Sequence, residues 1–313
     1  MNKDSISQKR IEKYVSARLL KQLDCRNRNF SLQKIPLSRI SHSIFSLEIE
    51  GYSSLILKAF GKRYRFKRLL QCQDILSRQN IPVPEIVFAE EDSRLFGWKR
   101  MHVICEERIE GSTLLQVDMT SEIIKDIAHL FLRLHRIKRP LWGKLNGGGR
   151  SDSLFFYLHE DIQKNLWKWR KEDQNFPPAL ANSIVDYGKR FQREVEEINT
   201  FSLCHRDPTK ANIILGKNKS LYLIDIDESG YFPSFMEYYM VQFSLLEGNE
   251  AKISLFEEVY MQGLSREEKQ EMKTAQPFLK LFVLVQIAAL CARFPHMNSI
   301  FSTVQKEIER ILP

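Results

Sequence analysis

A short polar stretch in the second half of the chain carries residues whose types and spacing suit a chemical reaction. His205, Asp207 and Asn212 follow the spacing H-x-D-x-x-x-x-N, and Asp225 follows the apolar run at 221–224. A carboxylate can take a proton from a hydroxyl, and carboxylate and amide oxygens are ligands that Mg²⁺ accepts. The pattern therefore indicates phosphoryl transfer, in which Asp207 orients the acceptor hydroxyl and takes its proton while Asn212 and Asp225 hold the metal.

The sequence that follows the loop supports this interpretation. A bare match to the spacing is expected by chance in about 1% of chains of this length, from average residue frequencies. Here an apolar run at 213–215, polar residues at 216–220 and a second apolar run at 221–224 come directly after it. They predict a hairpin that leads to Asp225. The alternative is a loop His-Asp pair and turn acids without a catalytic role.

The elements that must position these residues change from strands to helices along the chain. After a basic amphipathic helix and a short connection within 1–35, we predict strands at 44–49 and 53–60. An apolar stripe at helical spacing predicts a helix at 62–79, which ends before Pro82. Residues 103–109 resemble a further strand.

Beyond Gly111 the sequence pattern is mostly helical. One helix ends near Lys138, two helices broken at Pro177-Pro178 occupy 154–199, and further helices occupy 250–313. Strands first and helices later predict an α+β protein in two lobes. We assign 1–109 to a small, strand-built lobe and 110–313 to a larger helical lobe that carries the polar loop.

Composition narrows the classes of partner. The formal charge of +8 favours an anionic partner, for which ATP suffices, and no interleaved basic and aromatic motif of a nucleic-acid module is present. Five cysteines without a CxxC pair predict a reducing, cytoplasmic compartment. The N-terminus lacks the apolar run of a signal peptide, and the longest apolar run, at 278–291, is too short to span a bilayer. We therefore expect neither a nucleic acid nor a membrane as a partner.

Several stretches resemble one known family. HRDPTKANIIL followed by LIDID is similar to the catalytic loop and metal-binding strand of the aminoglycoside phosphotransferase and choline kinase family, which has a bilobal, protein-kinase-like fold. LILKAF resembles its phosphate-gripping strand, CEERIEGSTL its hinge between lobes, and LFLRLHRIKRPLWGKL its helix ending in Leu-His. The resemblance implies that Lys58 contacts the α- and β-phosphates of ATP and that backbone groups from Glu107 to Ile109 hold the adenine.

The same resemblance implies an activity. It is that of an ATP- and Mg²⁺-dependent phosphotransferase, which moves the γ-phosphate of a nucleoside triphosphate to a hydroxyl of a small molecule such as an aminoglycoside, a sugar or an amino alcohol. The alternative is a nucleotide-binding regulatory pseudokinase with little or no catalysis. The departures from the family pattern motivate that alternative.

Two departures concern the predicted nucleotide lobe. Leu69 stands where the helix of the family supplies a glutamate to pair with the strand lysine, and Gln73 is the candidate replacement. The loop at 41–43 lacks the glycines that let backbone amides approach phosphate, so we expect the hydroxyls of Ser41 and Ser43 to assist.

A third departure follows Asp225, where Ile226-Asp227-Glu228 replaces Asp-Phe-Gly. Asp227 is either a carboxylate that supports Asp225 or a solvent-exposed turn residue.

The sequence does not identify the molecule that accepts the phosphoryl group. The long interval between His135 and His205 resembles the helical insert of small-molecule kinases, which implies that the insert and the C-terminal helices form the acceptor pocket. The acidic candidates for contact with a cationic acceptor, each expected at the surface, are Glu160, Asp161, Glu237 and Glu247. The basic charge balance gives no support to a polycationic aminoglycoside.

Overall fold

The computed structural model of the chain describes residues 7–35, 42–93, 100–147, 153–174, 176–294 and 298–312. The chain divides into two compact units, of which the first comprises Met1–Ser112 and Ile214–Glu228 and the second Thr113–Ile213 and Ser229–Pro313. The division after Ser112 lies close to the predicted one. Residues 214–228, however, belong to the first unit, whereas the sequence pattern assigned them to the helical lobe.

Among the described residues, the first unit is built on a five-stranded antiparallel sheet. Its strands are β1 (Phe30–Lys34), β2 (His42–Ile49), β3 (Leu55–Phe60), β4 (Ile86–Ser93) and β5 (Met101–Glu107), in the order β1-β2-β3-β5-β4. Strand β1 lies where the sequence indicated a short connection, and it pairs with β2 with Phe30 opposite Ile49.

The N-terminal segment packs its apolar face on this sheet. It consists of α1 (Gln8–Tyr14), a π-helical turn at Val15–Leu19 and α2 (Leu20–Gln22). The core that it shares with the sheet includes Ile11, Tyr14, Val15, Leu19, Phe45, Leu47, Leu57 and Val103. Lys9, Lys13 and Arg18 are exposed, so the predicted basic amphipathic helix is confirmed.

Helix α3 (Arg63–Arg78) follows β3 and buries the predicted stripe. Phe66, Leu69, Gln73 and Leu76 are buried, as their spacing along one helix face requires, and Leu70, also part of the predicted stripe, is half-buried. Arg68 is buried on the same helix, and the apolar pattern did not predict this.

The predicted hairpin after the polar loop is present. It consists of β10 (Ile213–Gly216) and β11 (Leu221–Leu223), and β6 (Gly111–Thr113) pairs on the other side of β10 to give a sheet in the order β11-β10-β6. The Leu223 N–H donates to the Pro82 carbonyl at 3.0 Å, which ties the hairpin to the connection after α3. This pairing places residues 214–228 in the first unit.

The close approach of β6 to β10 requires a glycine at position 111. A Cβ on Gly111 would lie 2.2 Å from the Leu215 carbonyl oxygen and 2.9 Å from Gly216 Cα. Because both are backbone atoms, we expect Gly111→Ala to lower the free energy of unfolding by about 1–3 kcal/mol in denaturant titrations. Gly61→Ala is the matched control, since a Cβ there meets nothing within 4 Å. Equal losses in the two variants would contradict this account of the β6–β10 contact.

The second unit is mainly helical. Its helices are α4 (Ser121–His135), α5 (Leu154–Glu172), α6 (Pro178–Lys189), α7 (Gln192–Glu196), α8 (Ser234–Met240), α9 (Glu250–Gln262), α10 (Arg266–Arg293) and α11 (Asn298–Ile311). Its short strands are β7 (Lys138–Arg139), β8 (Gly143–Lys144), β9 (Phe201–Cys204) and β12 (Gly230–Phe232), in the order β7-β9-β12-β8.

Local sequence sets several of these helix ends. The Thr120 hydroxyl accepts a hydrogen bond from the Ile123 N–H at the start of α4. Ser265 and Glu268 form a reciprocal capping box at the start of α10. The predicted break at Pro177-Pro178 is confirmed, with Pro178 as the first residue of α6. The short helix α7 was not predicted.

Helix α10 lies at the core of the second unit and packs against α5, α8 and α11. Among the described residues it is the one helix long and apolar enough to cross a membrane by length and composition. However, 67% of its most apolar window is buried inside the protein. That burial is typical of a core helix, so its composition is weak support for a membrane span.

Candidate active site

The polar loop of the second unit follows β9, whose residues are all buried. His205 continues the buried segment, and Arg206 then adopts a left-handed φ of 71°. This conformation costs a non-glycine residue about 1–2 kcal/mol, so contacts around it must hold the turn. Asp207, the next residue, is exposed.

The carboxylate of Glu237 on α8 holds this turn. It accepts hydrogen bonds from the His205 N–H at 3.0 Å and from the Arg206 N–H at 2.6 Å. His135 Nε2 lies 3.1 Å from the same carboxylate. Because a carboxylate only accepts, Nε2 carries the hydrogen, and His135 Nδ1 accepts from the Tyr260 hydroxyl at 2.6 Å. Glu237 therefore connects the loop to the Leu-His end of α4.

Glu237 is ionised in this position. Burial, with 1% of its surface exposed, works to raise its pKa, but the hydrogen bonds that it accepts, that from His135 above all and that from the Arg206 N–H, lower its pKa below the ordinary 4.5. A carboxyl group with a depressed pKa stabilises the folded state above its unfolded-state pKa. That contribution is lost as the pH falls through the folded-state pKa.

We expect Glu237→Gln to lower the free energy of unfolding at neutral pH by about 2–3 kcal/mol, because an amide nitrogen would then face buried N–H donors. Denaturant titrations measure the loss, and the difference from the wild type narrows as the pH falls below 4.5. Glu160→Gln is the control, since Glu160 forms an exposed pair with Lys164. A loss no larger than that of the control would show that Glu237 does not hold the loop.

Asn212 fixes Asp207 within the loop. It ends a 3₁₀ turn at Lys210–Asn212, and its Nδ2 donates to the Asp207 carbonyl and to Asp207 Oδ2, both at 2.9 Å. The Asp207 N–H donates a hydrogen bond to His205 Nδ1 at 3.3 Å. Since both amide hydrogens of Asn212 are used, its Oδ1 is the atom that remains for a cation.

A group of potential metal ligands lies behind this loop, where His135, Cys204 and Glu237 approach within 4.8 Å of one another. Both ring nitrogens of His135 and the Glu237 carboxylate are already engaged in hydrogen bonds. Burial raises the pKa of the Cys204 thiol well above its usual value, so it stays protonated. His135 and Glu237 therefore act as a hydrogen-bonded support for the loop, and the Cys204 thiol contacts the Ser202 and Phe232 carbonyls.

In the first unit, Lys58 and Glu106 form a buried ion pair. In the antiparallel register of β3 and β5, Lys58 lies opposite Ile104 and Ile56 lies opposite Glu106, so the two charged residues are diagonal neighbours on one face. Lys58 Nζ is 2.6 Å from Glu106 Oε1, and each residue is 4% exposed. Burial works to lower the pKa of Lys58, but the charges of Glu106, Asp225 and Asp227 outweigh it and raise that pKa. Lys58 is therefore an ammonium group.

The acidic segment after β11 is held by two arginines of α3. Asp225 has a left-handed φ of 59°. Arg65 contacts Asp227 Oδ2 at 2.9 Å and Glu228 Oε1 at 2.6 Å. Arg68 donates to the Asp227 carbonyl at 3.0 Å and contacts Glu228 Oε2 at 3.3 Å. The conformation of the segment is thus fixed by ion pairs to one helix.

These contacts decide between the two interpretations of Asp227. Its side chain is buried and paired with Arg65, so it is not a solvent-exposed turn residue. Burial and, next, the charge of Asp225 raise the pKa of Asp227 to about 6. Asp227 therefore adds negative charge beside Asp225 at neutral pH.

The family model described as Phosphotransferase enzyme family matches residues 35–259. This match spans most of the chain, including Lys58, the polar loop and Asp225. The chain belongs to this phosphotransferase family. No curated protein matches it significantly.

Solved structures of several small-molecule kinases are similar in fold to this chain. A thermostable mutant of the aminoglycoside phosphotransferase APH(4)-Ia, in a ternary complex with ADP and hygromycin B, is similar with a TM-score of 0.63 at 13% identity, over 95% of this chain and 97% of that one. Ethanolamine kinase from Plasmodium vivax gives 0.59 at 15% identity, over 98% and 91%. Amicoumacin kinase in complex with AMP-PNP and Ca²⁺ gives 0.60 at 14% identity, over 98% of both.

At these identities the similarity shows the fold. The chain has the protein-kinase-like α+β fold that the sequence resemblance implied, with a strand-built N-terminal part and a helical C-terminal part. Membership of the phosphotransferase family is likewise what the loop motif predicted.

The remaining residues predicted to bind nucleotide lie in different settings. Ser43 is buried in β2 instead of lying in a loop, and Ser41 is outside the described residues. Glu107 ends β5, and its N–H donates to the Glu85 carbonyl at 2.9 Å. Ile109 is half-buried in the connection to β6, and its N–H makes no backbone hydrogen bond among the described residues.

Gln73 was expected to pair with Lys58 in place of the helix glutamate, and in the structure it does not. Its side-chain amide donates to the Pro84 carbonyl, and Glu106 is the partner of Lys58. The sequence patterns did not predict that Glu106, Arg65 and Arg68 lie beside Lys58 and the segment after Asp225. A signal was available for Glu106, because it is a charged residue within a strand that is otherwise buried.

The acidic candidates for the acceptor lie in different settings. Glu160 and Glu247 are exposed and pair with Lys164 and Lys210, as expected of surface groups. Asp161 is half-buried, and its Oδ2 accepts a hydrogen bond from Asn165 Nδ2 at 3.3 Å. Glu237 is buried and supports the polar loop, so its expected surface position was wrong.

Proposed function

We propose that this protein is a small-molecule kinase that transfers the γ-phosphoryl group of ATP, with Mg²⁺, to a hydroxyl of its acceptor. The observation that carries the proposal is the geometry of the polar loop in a member of the phosphotransferase family. Asn212 holds the Asp207 carboxylate by a 2.9 Å hydrogen bond, and Glu237 holds the backbone before it. A carboxylate fixed in this way is suited to orienting a hydroxyl.

Asp207 takes the part of the proton acceptor in this scheme. It is exposed, so an acceptor hydroxyl can reach it, and its orientation is set by Asn212 and His205. It aligns the hydroxyl for attack on the γ-phosphorus and takes the proton as the new P–O bond forms. The leaving group is the β-phosphate oxygen of ADP.

The donor atoms of the chain fit a hard cation. Asn212 Oδ1 accepts no hydrogen bond within the part of the chain that the structure describes, and Asp225 supplies a carboxylate. Oxygen donors of this kind, one amide and one carboxylate, suit Mg²⁺ bound together with phosphates. When bound, the metal neutralises charge on the phosphates.

Lys58 and the segment after β5 are the proposed nucleotide contacts of the first unit. As a protonated amine, Lys58 is suited to the α- and β-phosphates. Because the Glu107 N–H is donated to Glu85, the Glu107 carbonyl and the Ile109 N–H are the candidates for hydrogen bonds with adenine.

The acceptor is proposed as a hydroxylated small molecule bound by the second unit. The structural relatives were solved with hygromycin B in one case and with spectinomycin in another, and a third is an ethanolamine kinase. Hygromycin B, spectinomycin and ethanolamine each carry at least one hydroxyl and at least one amine group. The formal charge of +8 gives no support to a strongly cationic acceptor.

The test has two stages. Thermal shifts with ATP, with and without Mg²⁺, are expected to show stabilisation that is larger with the metal. An ATP-consumption screen over sugars, amino alcohols and aminoglycosides is then expected to give turnover with at least one class. Nucleotide binding without turnover across the panel would favour the regulatory pseudokinase. No nucleotide binding at all would contradict both functions.

A further inference from the structure

Lys58 requires a fixed anionic partner in the folded protein. A buried ammonium group without one is strongly disfavoured, and Lys58 is 4% exposed. The side chain must also be oriented, because lysine carries its charge on a flexible four-carbon stem and has to direct it at the phosphates. One residue must therefore supply a negative charge to the Lys58 ammonium group and hold it in one orientation.

Helix α3 does not supply this partner. Leu69, at the position where the family resemblance expects a glutamate, is apolar and buried. Gln73 directs its amide to the Pro84 carbonyl. The charged groups that α3 turns inward are Arg65 and Arg68, which have the same sign as Lys58 and are paired with the acidic segment at Asp227 and Glu228.

We propose that Glu106 on β5 is the residue that positions Lys58 for the nucleotide phosphates, in place of a helix carboxylate. The inference rests on the proposed function, since it assigns Lys58 to the nucleotide. Glu106 Oε1 contacts Lys58 Nζ at 2.6 Å. The register of β3 and β5 fixes the backbone positions of both residues, so the two side chains leave the sheet side by side on one face.

The position of this carboxylate changes how the lysine is controlled. In protein kinases, the strand lysine is aligned only when the helix that carries its glutamate is correctly placed. Here both partners lie on adjacent strands of one sheet, so the pair forms whenever the sheet is formed. Helix α3 instead fixes the segment after Asp225 through its two arginines. Lys58 is thus preset by the sheet and does not depend on the position of α3.

A double-mutant cycle on nucleotide affinity tests this role. Calorimetry with Mg-ADP on the full chain compares the wild type, Glu106→Gln, Lys58→Met and the combination. We expect Glu106→Gln to weaken binding about tenfold, as for loss of one charged hydrogen bond. In the Lys58→Met background the same change is expected to have an effect below about twofold, since Glu106 acts through the lysine. Glu106→Asp, which keeps the charge, is expected to recover part of the affinity.

Stability is the second measurement, because it separates positioning from a purely structural role. Replacing both partners by apolar residues, in Lys58→Met with Glu106→Leu, is expected to leave the free energy of unfolding equal to or above that of the wild type. Its Mg-ADP affinity is expected to match that of Lys58→Met alone. Glu48→Gln is the control for both measurements, since Glu48 is a half-exposed carboxylate of the same sheet that pairs with Arg108.

The outcomes distinguish this inference from the proposed function. If the wild type binds Mg-ADP and the effects of Glu106→Gln and Lys58→Met are additive, Glu106 does not position Lys58 and the proposed function stands. If Glu106→Gln does not fold, Glu106→Asp enters the same cycle, and additivity there has the same meaning. If the wild type binds no nucleotide, the proposed function fails and this inference fails with it.

Discussion

Replacing Asp207 by asparagine is expected to lower kcat by about 10²–10⁴-fold, the range for loss of a positioned general base. The asparagine side chain still offers an oxygen to the Asn212 amide, so the hydrogen bond that shapes the loop is retained. We therefore expect the affinity for Mg-ADP to change by less than about threefold, because the change removes a proton acceptor and leaves the loop in place. Steady-state kinetics and calorimetry on the same preparation measure the two quantities.

Glu247→Gln is the matched control for this variant. Glu247 is an exposed carboxylate that pairs with Lys210 of the same loop at 2.7 Å, so its loss tests the effect of removing one negative charge nearby. We expect kcat to stay within about twofold of the wild type, as for a surface ion pair. An Asp207→Asn variant with wild-type turnover would remove Asp207 from the chemistry.

The second large effect is expected for Asp225→Asn, which should weaken nucleotide binding in the presence of Mg²⁺. Loss of a residue that only supports a metal ligand costs about 10–100-fold in metal affinity, and we expect at least that loss here. In EDTA the affinity is expected to stay the same or rise, because a negative charge near the phosphates has been removed. Asparagine is the suitable replacement, since it tolerates the left-handed φ of 59° better than alanine does.

The ratio of the affinities with and without Mg²⁺ is the quantity that decides this prediction. Glu48→Gln is the control, because Glu48 is a half-exposed carboxylate of the same unit that pairs with Arg108. It is expected to leave that ratio within about twofold of the wild type, as for a surface ion pair. A ratio for Asp225→Asn equal to that of the wild type would exclude Asp225 as a metal ligand.

Local sequence predicted much of the fold. The stripe of α3, the helix α4 that ends near Lys138, the proline break before α6 and the hairpin of β10 and β11 all depend on residues close together in the chain. Periodicity and turn residues report such structure directly. Strand β1 was missed because its half-exposed pattern resembles a loop, and only its pairing with β2 makes it a strand.

The site, like the fold, has features that local sequence predicts and features that depend on contacts between distant segments. The loop residues Asp207 and Asn212 contact one another across a few positions of sequence, so their spacing alone predicted their relationship. The partner of Lys58 was missed, because it depends on which strands are adjacent and in what register. The burial of Glu237 was missed for a similar reason, since its hydrogen-bond donors come from other elements.

The sequence by itself determined the family of this protein, its α+β class and the loop on which its proposed chemistry rests. Tertiary structure alone decided that the lysine partner lies on β5, that two arginines of α3 hold the segment after Asp225, and that Glu237 supports the loop from inside. The physical reason is the cost of burying charge. A buried charge requires a partner, and the residue that meets this requirement is selected by packing between distant segments.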